Sequence, residues 1–168
     1  QQVSSAASDV YKRQVIKKGK RMIILVNKWD LASGTNVSAE LYKEDMYMEF
    51  KDLQHYPILF VSALTKRRVS NIIEVAWDIF TKQRKKISTK ELNEWVEKAV
   101  RNYPPPANQG KSIKIKFIEQ VQQSPPIFAL FSNYPKLISI QYLRYLHNQI
   151  RDSFDLNGIT IKFSLRKG

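Results

Sequence analysis

Between Gly19 and Lys82 the sequence alternates short apolar runs with helical patterns, and this alternation restricts the fold more than any other feature. Met22 to Val26 form a continuous apolar run of the length of a buried strand. Ser38 then opens a helical pattern with Tyr42, Met46, Phe50 and Leu53 along one stripe, which Tyr56 and Pro57 are expected to close. "ILFVSAL" supplies a second run, ending in Ser62, Ala63 and Leu64. From Ser70 a second helical pattern carries Ile72, Ala76, Ile79 and Phe80 on one face. Two buried strands joined through a helix run parallel, because a crossover connects parallel neighbours and a tight turn cannot. Residues 15–87 therefore read as α/β with a parallel sheet.

The period changes again after the basic run "TKQRKKIS", where the domain boundary is expected. Ser88 and Glu91 have the spacing of a capping box, and Leu92, Trp95, Val96, Ala99 and Val100 make a helical stripe behind it. The three prolines of "YPPPANQG" stop that helix. Ile113, Ile115 and Phe117 alternate with Lys114 and Lys116, predicting a strand with one buried face. Pro125 and Pro126 separate it from a strand over Ile127 to Phe131. Leu143, Leu146, Ile150 and Phe154 line the next helix, which "NG" at 157–158 is expected to end. In the last strand Ile161, Phe163 and Leu165 alternate with Lys162, Ser164 and Arg166. Residues 88–168 are thus a small α-β-β-α-β unit of α+β type, helices on one face of a three-stranded sheet. Residues 1–14, "QQVSSAASDVYKRQ", show no period and read as a disordered or non-native leader.

Composition narrows the function classes. The chain has no cysteine, which excludes disulfides and thiolate metal sites and fits a cytoplasmic location. No apolar run reaches the roughly 18 residues of a membrane span; the basic charge suits nucleic acid or an anionic membrane face, and no membrane is expected among the partners. The net charge is +13. It divides evenly: residues 1–87 hold 16 Lys and Arg against 9 Asp and Glu, and residues 88–168 hold 12 against 6. Both halves are therefore suited to one polyanionic partner.

Asn27, Lys28 and Asp30 leave the first strand at its carboxyl end, where doubly wound sheets bind ligands, and Ser62 and Ala63 leave the second. A guanine base fits this set. Its N1–H and N2–H2 donors suit the two oxygens of Asp30, and its O6 and N7 acceptors suit the Asn27 amide and the Ala63 N–H. The alkyl stem of Lys28 can cover the base face while its ammonium stays wet. Adenine presents an acceptor at N1, which the carboxylate rejects. Ser62 is expected to cap its own turn and to help order the Asp30 loop. Turns rich in Asn and Asp are common for purely local reasons, so either short motif alone would mean little.

"NKWD" followed by "VSAL" also resembles the paired N-K-x-D and S-A-x base-recognition motifs of the GTPase superfamily. "KAVRNYPPP", "GKSIKIKFIEQV", "PPIFALFSNYP" and "YLRYLHNQIRDSFDLNGITIKFSLRKG" resemble the KH-like domain of the Der (EngA) family of bacterial double-GTPases of ribosome assembly. The resemblance covers about residues 15–168. It implies the C-terminal half of a P-loop GTPase fold over 15–87, holding the guanine-recognition residues, and a KH-like domain over 88–168. It further implies GTP or GDP as ligand, ribosomal RNA or the large ribosomal subunit as partner, and contacts with the other GTPase domains of a longer parent. In that family the KH-like domain changes its packing against the GTPase domains with nucleotide state.

The sequence has no G-x-x-x-x-G-K-[ST] run and no recognisable switch segment. This polypeptide alone is expected to hydrolyse no GTP, and magnesium is expected only in an intact parent. A G-x-x-G loop, with which RNA-binding KH domains clamp the backbone, is also missing, which argues against an Era-like arrangement. RNA contact must then use charge and shape, and Lys114, Lys116, Lys162 and Arg166, on the face opposite the helices, would form a basic platform. Such lysines are more often simply the solvated face of a sheet. A stand-alone basic RNA-binding module with a degenerate nucleotide fold is the alternative reading. His55 and His147 read as surface or helix polar residues, and Trp77 and Trp95 as core.

Overall fold

The computed structural model describes residues 14–15, 18–32, 36–84 and 86–168, so the leader expected over 1–14 lies outside the described residues except at Gln14. The protein mixes helix and sheet in two compact units. One comprises the described residues up to Thr81 with Asn157–Ile159; the other comprises Lys82–Leu156 and Thr160–Gly168.

In the first unit β1 (Ile24–Val26), α1 (Ala39–Glu49), β2 (Ile58–Phe60) and α2 (Ser70–Gln83) follow one another. β1 and β2 pair in parallel with Ile24, Leu25 and Val26 opposite Ile58, Leu59 and Phe60, as the alternation requires. Met46, Ile58 and Phe60 are buried together, and Ile24, Val26, Trp29, Tyr42 and Tyr47 pack on them. Ser38 caps α1 by accepting the Leu41 N–H at 3.1 Å. The helix ends at Glu49, earlier than Tyr56–Pro57 suggested. Phe50 leaves helical geometry at φ −121 and ψ 76, and a 3-10 turn over Lys51–Leu53 follows. Three residues per turn keep Phe50 and Leu53 on one side, so the same stripe buries Leu53 without more α-helix.

The inner face of α2 is also rotated from the expected one. Ile79 is buried and Ile72, Val75 and Phe80 are half-buried, while Ala76 is exposed. Trp77, expected in the core, is 66% exposed and stacks on Phe80. It stands two residues from Ile79, about 200° around the helix, and so points away from the buried side.

The second unit runs α3 (Thr89–Asn102), β3 (Ile115–Gln123), β4 (Pro126–Ser132), α4 (Ile140–Phe154) and β5 (Lys162–Lys167). Its sheet order is β3-β4-β5, with β3 antiparallel and β5 parallel to β4, which makes α4 the crossover. The capping box forms: Ser88 Oγ accepts the Glu91 N–H at 3.2 Å and Glu91 Oε2 accepts the Ser88 N–H at 3.1 Å. Leu92, Trp95, Val96 and Ala99 are buried. They face a sheet side on which Ile118, Phe128 and Leu130 have no exposure. Asn93 fastens α3 to the outer strand, donating to the Ile118 carbonyl and accepting the Ile118 N–H, both at 3.0 Å. That pair saturates backbone groups an edge strand would otherwise present. Tyr145 and Tyr142 of α4 donate to the carbonyls of Ala99 and Tyr103, each at 2.9 Å. Burial, and then the neighbouring Tyr145 and Tyr103, push the Tyr142 hydroxyl well above the usual tyrosine range.

Two expectations fail in this unit. α4 ends at Phe154 through Asp155 in the left-handed region at φ 50, ahead of the "NG" pair. Asp tolerates that region because its short polar side chain bonds locally. In β3, a bulge between Ile115 and Phe117 shifts the alternation by one residue. Ile113 is buried ahead of the strand, but Phe117 stands 39% exposed on the other face and Ile118 takes the core position.

Candidate functional site

The two strand ends of the first unit come together through one side chain. Asn27 Oδ1 accepts the Lys28 N–H at 2.8 Å and the Ala63 N–H at 3.0 Å, joining segments 36 residues apart. Asn27 Nδ2 makes no hydrogen bond among the described residues. Lys28 sits at φ 60, an uncommon geometry for a long side chain, and this turns the chain back on the sheet. Trp29 then donates its N–H to the Val61 carbonyl at 3.0 Å and packs its ring on Phe60 and Tyr42. The tryptophan therefore anchors a 3-10 turn, Trp29–Ala32, that carries Asp30. Asp30 Oδ1 is buried and has no hydrogen-bond partner among the described residues.

Ser62 is 1% exposed. Its Oγ accepts the Thr65 N–H and its N–H donates to the Arg67 carbonyl, both at 3.2 Å. The residue orders its own loop and makes no bond to Asp30. The Ala63 N–H, expected to be open to a base, is held by Asn27 Oδ1 in this structure. Sequence reasoning passed over the rest of that loop. Leu64 is 86% exposed, and Lys66 and Arg68 both adopt positive φ, at 57 and 58. The cationic run "TKRR" was the available signal.

In the second unit the four basic residues singled out from sequence are all exposed, and the fold separates them. Arg166 lies opposite Phe131 on the open face, and Lys162 lies opposite Ile127 on the same face. Four residues of strand, about 13 Å, separate the two. Lys116 occupies the β3 bulge, and its stem approaches Gly168 beside Phe131. Lys114 precedes the strand, its N–H and carbonyl both bonded to Asn133. Among the described residues no His, Asp, Glu or Cys cluster is suited to a metal ion. No helix among them is long and apolar enough to cross a membrane.

Residues 86–166 match the model of the KH-domain-like, C-terminal domain of EngA bacterial GTPase enzymes. Across 90% of its length the chain is 40% identical to the GTPase Der of Flavobacterium johnsoniae and to that of Amoebophilus asiaticus. The chain is homologous to the C-terminal region of GTPase Der. With the Der of Fusobacterium nucleatum the identity is 42% over 86% of the chain. The chain spans about a third of the length of these Der proteins, 35%, 35% and 33% respectively. Among solved structures, Era in complex with MgGDPNP and nucleotides 1506–1542 of 16S ribosomal RNA aligns over 98% of this chain and 60% of that one. The identity to that chain is 13% and the TM-score 0.34.

Proposed function

We propose that this chain is the guanine-recognition and KH-like part of a Der-type GTPase of large ribosomal subunit assembly, acting in the cytoplasm. In this reading residues 15–87 are the C-terminal half of a P-loop GTPase domain and residues 88–168 the KH-like domain. Asp30 accepts guanine N1–H and N2–H2, Asn27 Nδ2 donates to the N7 and O6 side, and the Ala63 N–H is shared with O6 on binding. Lys28 and the exposed Leu64 supply apolar cover for the base. Ser62 holds the second loop in place. The observation that carries the reading is Asn27 Oδ1, which accepts from Lys28 and Ala63 and so joins the Asp30 turn to the Ser62–Ala63 loop.

Phosphate binding, magnesium and hydrolysis belong to P-loop and switch segments that this sequence does not contain, so the chain by itself turns over no GTP. Base recognition without phosphate contacts is weak, and its test must tolerate millimolar affinity. Titration with guanosine monophosphate should shift the NMR amide signals of Asn27–Leu31 and Ser62–Leu64, and adenosine monophosphate should leave them in place. In the Asp30→Asn variant an amide donor faces the guanine donors. The guanine response should fall tenfold or more, by about 1–3 kcal/mol for the unpaired group, and xanthosine monophosphate should replace it. If both nucleotides weaken alike, Asp30 holds its loop and does not read the base. The basic sheet face is the proposed dock for ribosomal RNA, through phosphate contacts from Lys116, Lys162 and Arg166 with Lys114 at its margin.

A further inference from the structure

The open face of the three-stranded sheet carries a stack that the alternation of lysines did not foretell. Phe117 and Phe131 lie opposite one another on β3 and β4, with ring centroids 4.0 Å apart and planes within 13°. Arg166, opposite Phe131 on β5, places its guanidinium 5.8 Å from the Phe131 ring centre. The row therefore runs Arg166, Phe131, Phe117 across the sheet. Phe131 lies between Phe117 and Arg166, while Phe117, on the outer strand, is 39% exposed. Lys116 precedes Phe117 in the chain, but its stem reaches inward over Phe131 towards the end of β5. Its Cδ and Phe131 Cδ1 each lie 3.6 Å from the point a Gly168 Cβ would occupy. Along the same face Lys162 adds a further cation.

An exposed aromatic ring at a sheet edge, with cations on the same face, suits a flat π-system joined to a polyanion. We propose that this face binds unpaired RNA, a base extending the stack on the outer side of Phe117 while Lys116 and Lys162 meet the phosphates. The inference rests on the RNA-docking reading above and narrows it, because only an unpaired nucleotide can present its base face to the ring. Glu119 works against binding. Its carboxylate is 3.9 Å from Arg166, and it lies on the open face opposite Ala129. Removing that charge should free Arg166 for phosphate.

The test uses the whole chain, with oligouridine of about ten nucleotides and an RNA duplex of equal charge, across a range of salt. Phe117→Leu keeps the apolar bulk and removes the π-face. It should lower oligouridine affinity roughly tenfold or more at every salt concentration, leaving the slope of log affinity on log salt unchanged. Phe117→Tyr should retain binding. Lys162→Gln should reduce the slope by about one unit. Glu119→Gln should tighten binding more than Glu97→Gln, an equal charge change on α3. Unchanged affinity in Phe117→Leu, with losses confined to the cation variants, would overturn the stacking site while leaving a charge-driven RNA dock intact. Failure of the wild-type chain to bind either RNA would overturn both. A dimer in sedimentation that Phe117→Leu dissociates, with no effect on RNA affinity, would assign the face to a second copy and overturn the proposal as well.

Discussion

At Gly158 the backbone stands at φ +77, and an added Cβ would lie 2.8 Å from Ile79 Cδ1 and 3.3 Å from Pro57 Cδ. The Gly158 N–H also donates to the His55 carbonyl at 2.6 Å, which pins the residue where it is. Gly158→Ala therefore combines left-handed strain with overpacking, and should lower stability by about 2–3 kcal/mol in urea unfolding. Gly110 has a similar φ of +69 and nothing within 4 Å of a Cβ position, so Gly110→Ala should show only the backbone part, about 1 kcal/mol. The difference between the two variants measures the packing. Residue identity could mark both glycines as turn formers, but only the contact with Ile79 separates them.

Helix α3 shows an element whose sequence and structure agree at each position. Its two capping hydrogen bonds satisfy N–H groups that a helix start leaves open. Ser88→Ala should cost about 1 kcal/mol, and Glu91→Ala added to it should cost less than its separate effect, since the two side chains act on each other. A urea double-mutant cycle checks this; strict additivity would deny the coupling. Strand β3 is the opposite case. Its apolar residues at 113, 115 and 117 have a clean period of two, yet the bulge moves Phe117 to the open face. Bulges arise from pairing with the neighbouring strand, here β4, and a single strand's sequence carries little sign of them. The 3-10 turn after α1 and the rotated face of α2 have the same origin in what lies alongside.

Across the whole molecule the charge of +13 has no single seat, and a diffuse polyelectrolyte effect would let any lysine matter equally. The fold makes a different expectation. Lys116→Glu with Lys162→Glu changes the open face of the second unit, and Lys43→Glu with Lys51→Glu changes exposed positions on and just after α1 by the same charge. The first pair should weaken RNA binding at least tenfold more than the second in fluorescence anisotropy at constant salt. Equal losses would show that the charge acts as a whole and that no face is preferred.

The parallel pairing of β1 and β2, the capped α3 and the helix-crossover sheet all follow from hydrophobic period and capping residues, because these are local signals read within one turn or one strand. The candidate base site was legible for a related reason: Asn27, Lys28 and Asp30 form one short stretch, Ser62 and Ala63 another, and both fall at strand ends. What the chain's linear order could not contain is the partner of each group. Asn27 Oδ1 bonds to Ala63 N–H, Ser62 turns to Thr65, and Asp30 Oδ1 is buried without a partner among the described residues. Phe117, spaced like a core residue, becomes the outer ring of a stack with Phe131 and Arg166 from two other strands. Hydrogen-bond assignment and strand register depend on groups distant in sequence meeting within a few ångströms, and only the tertiary structure decides which of them do.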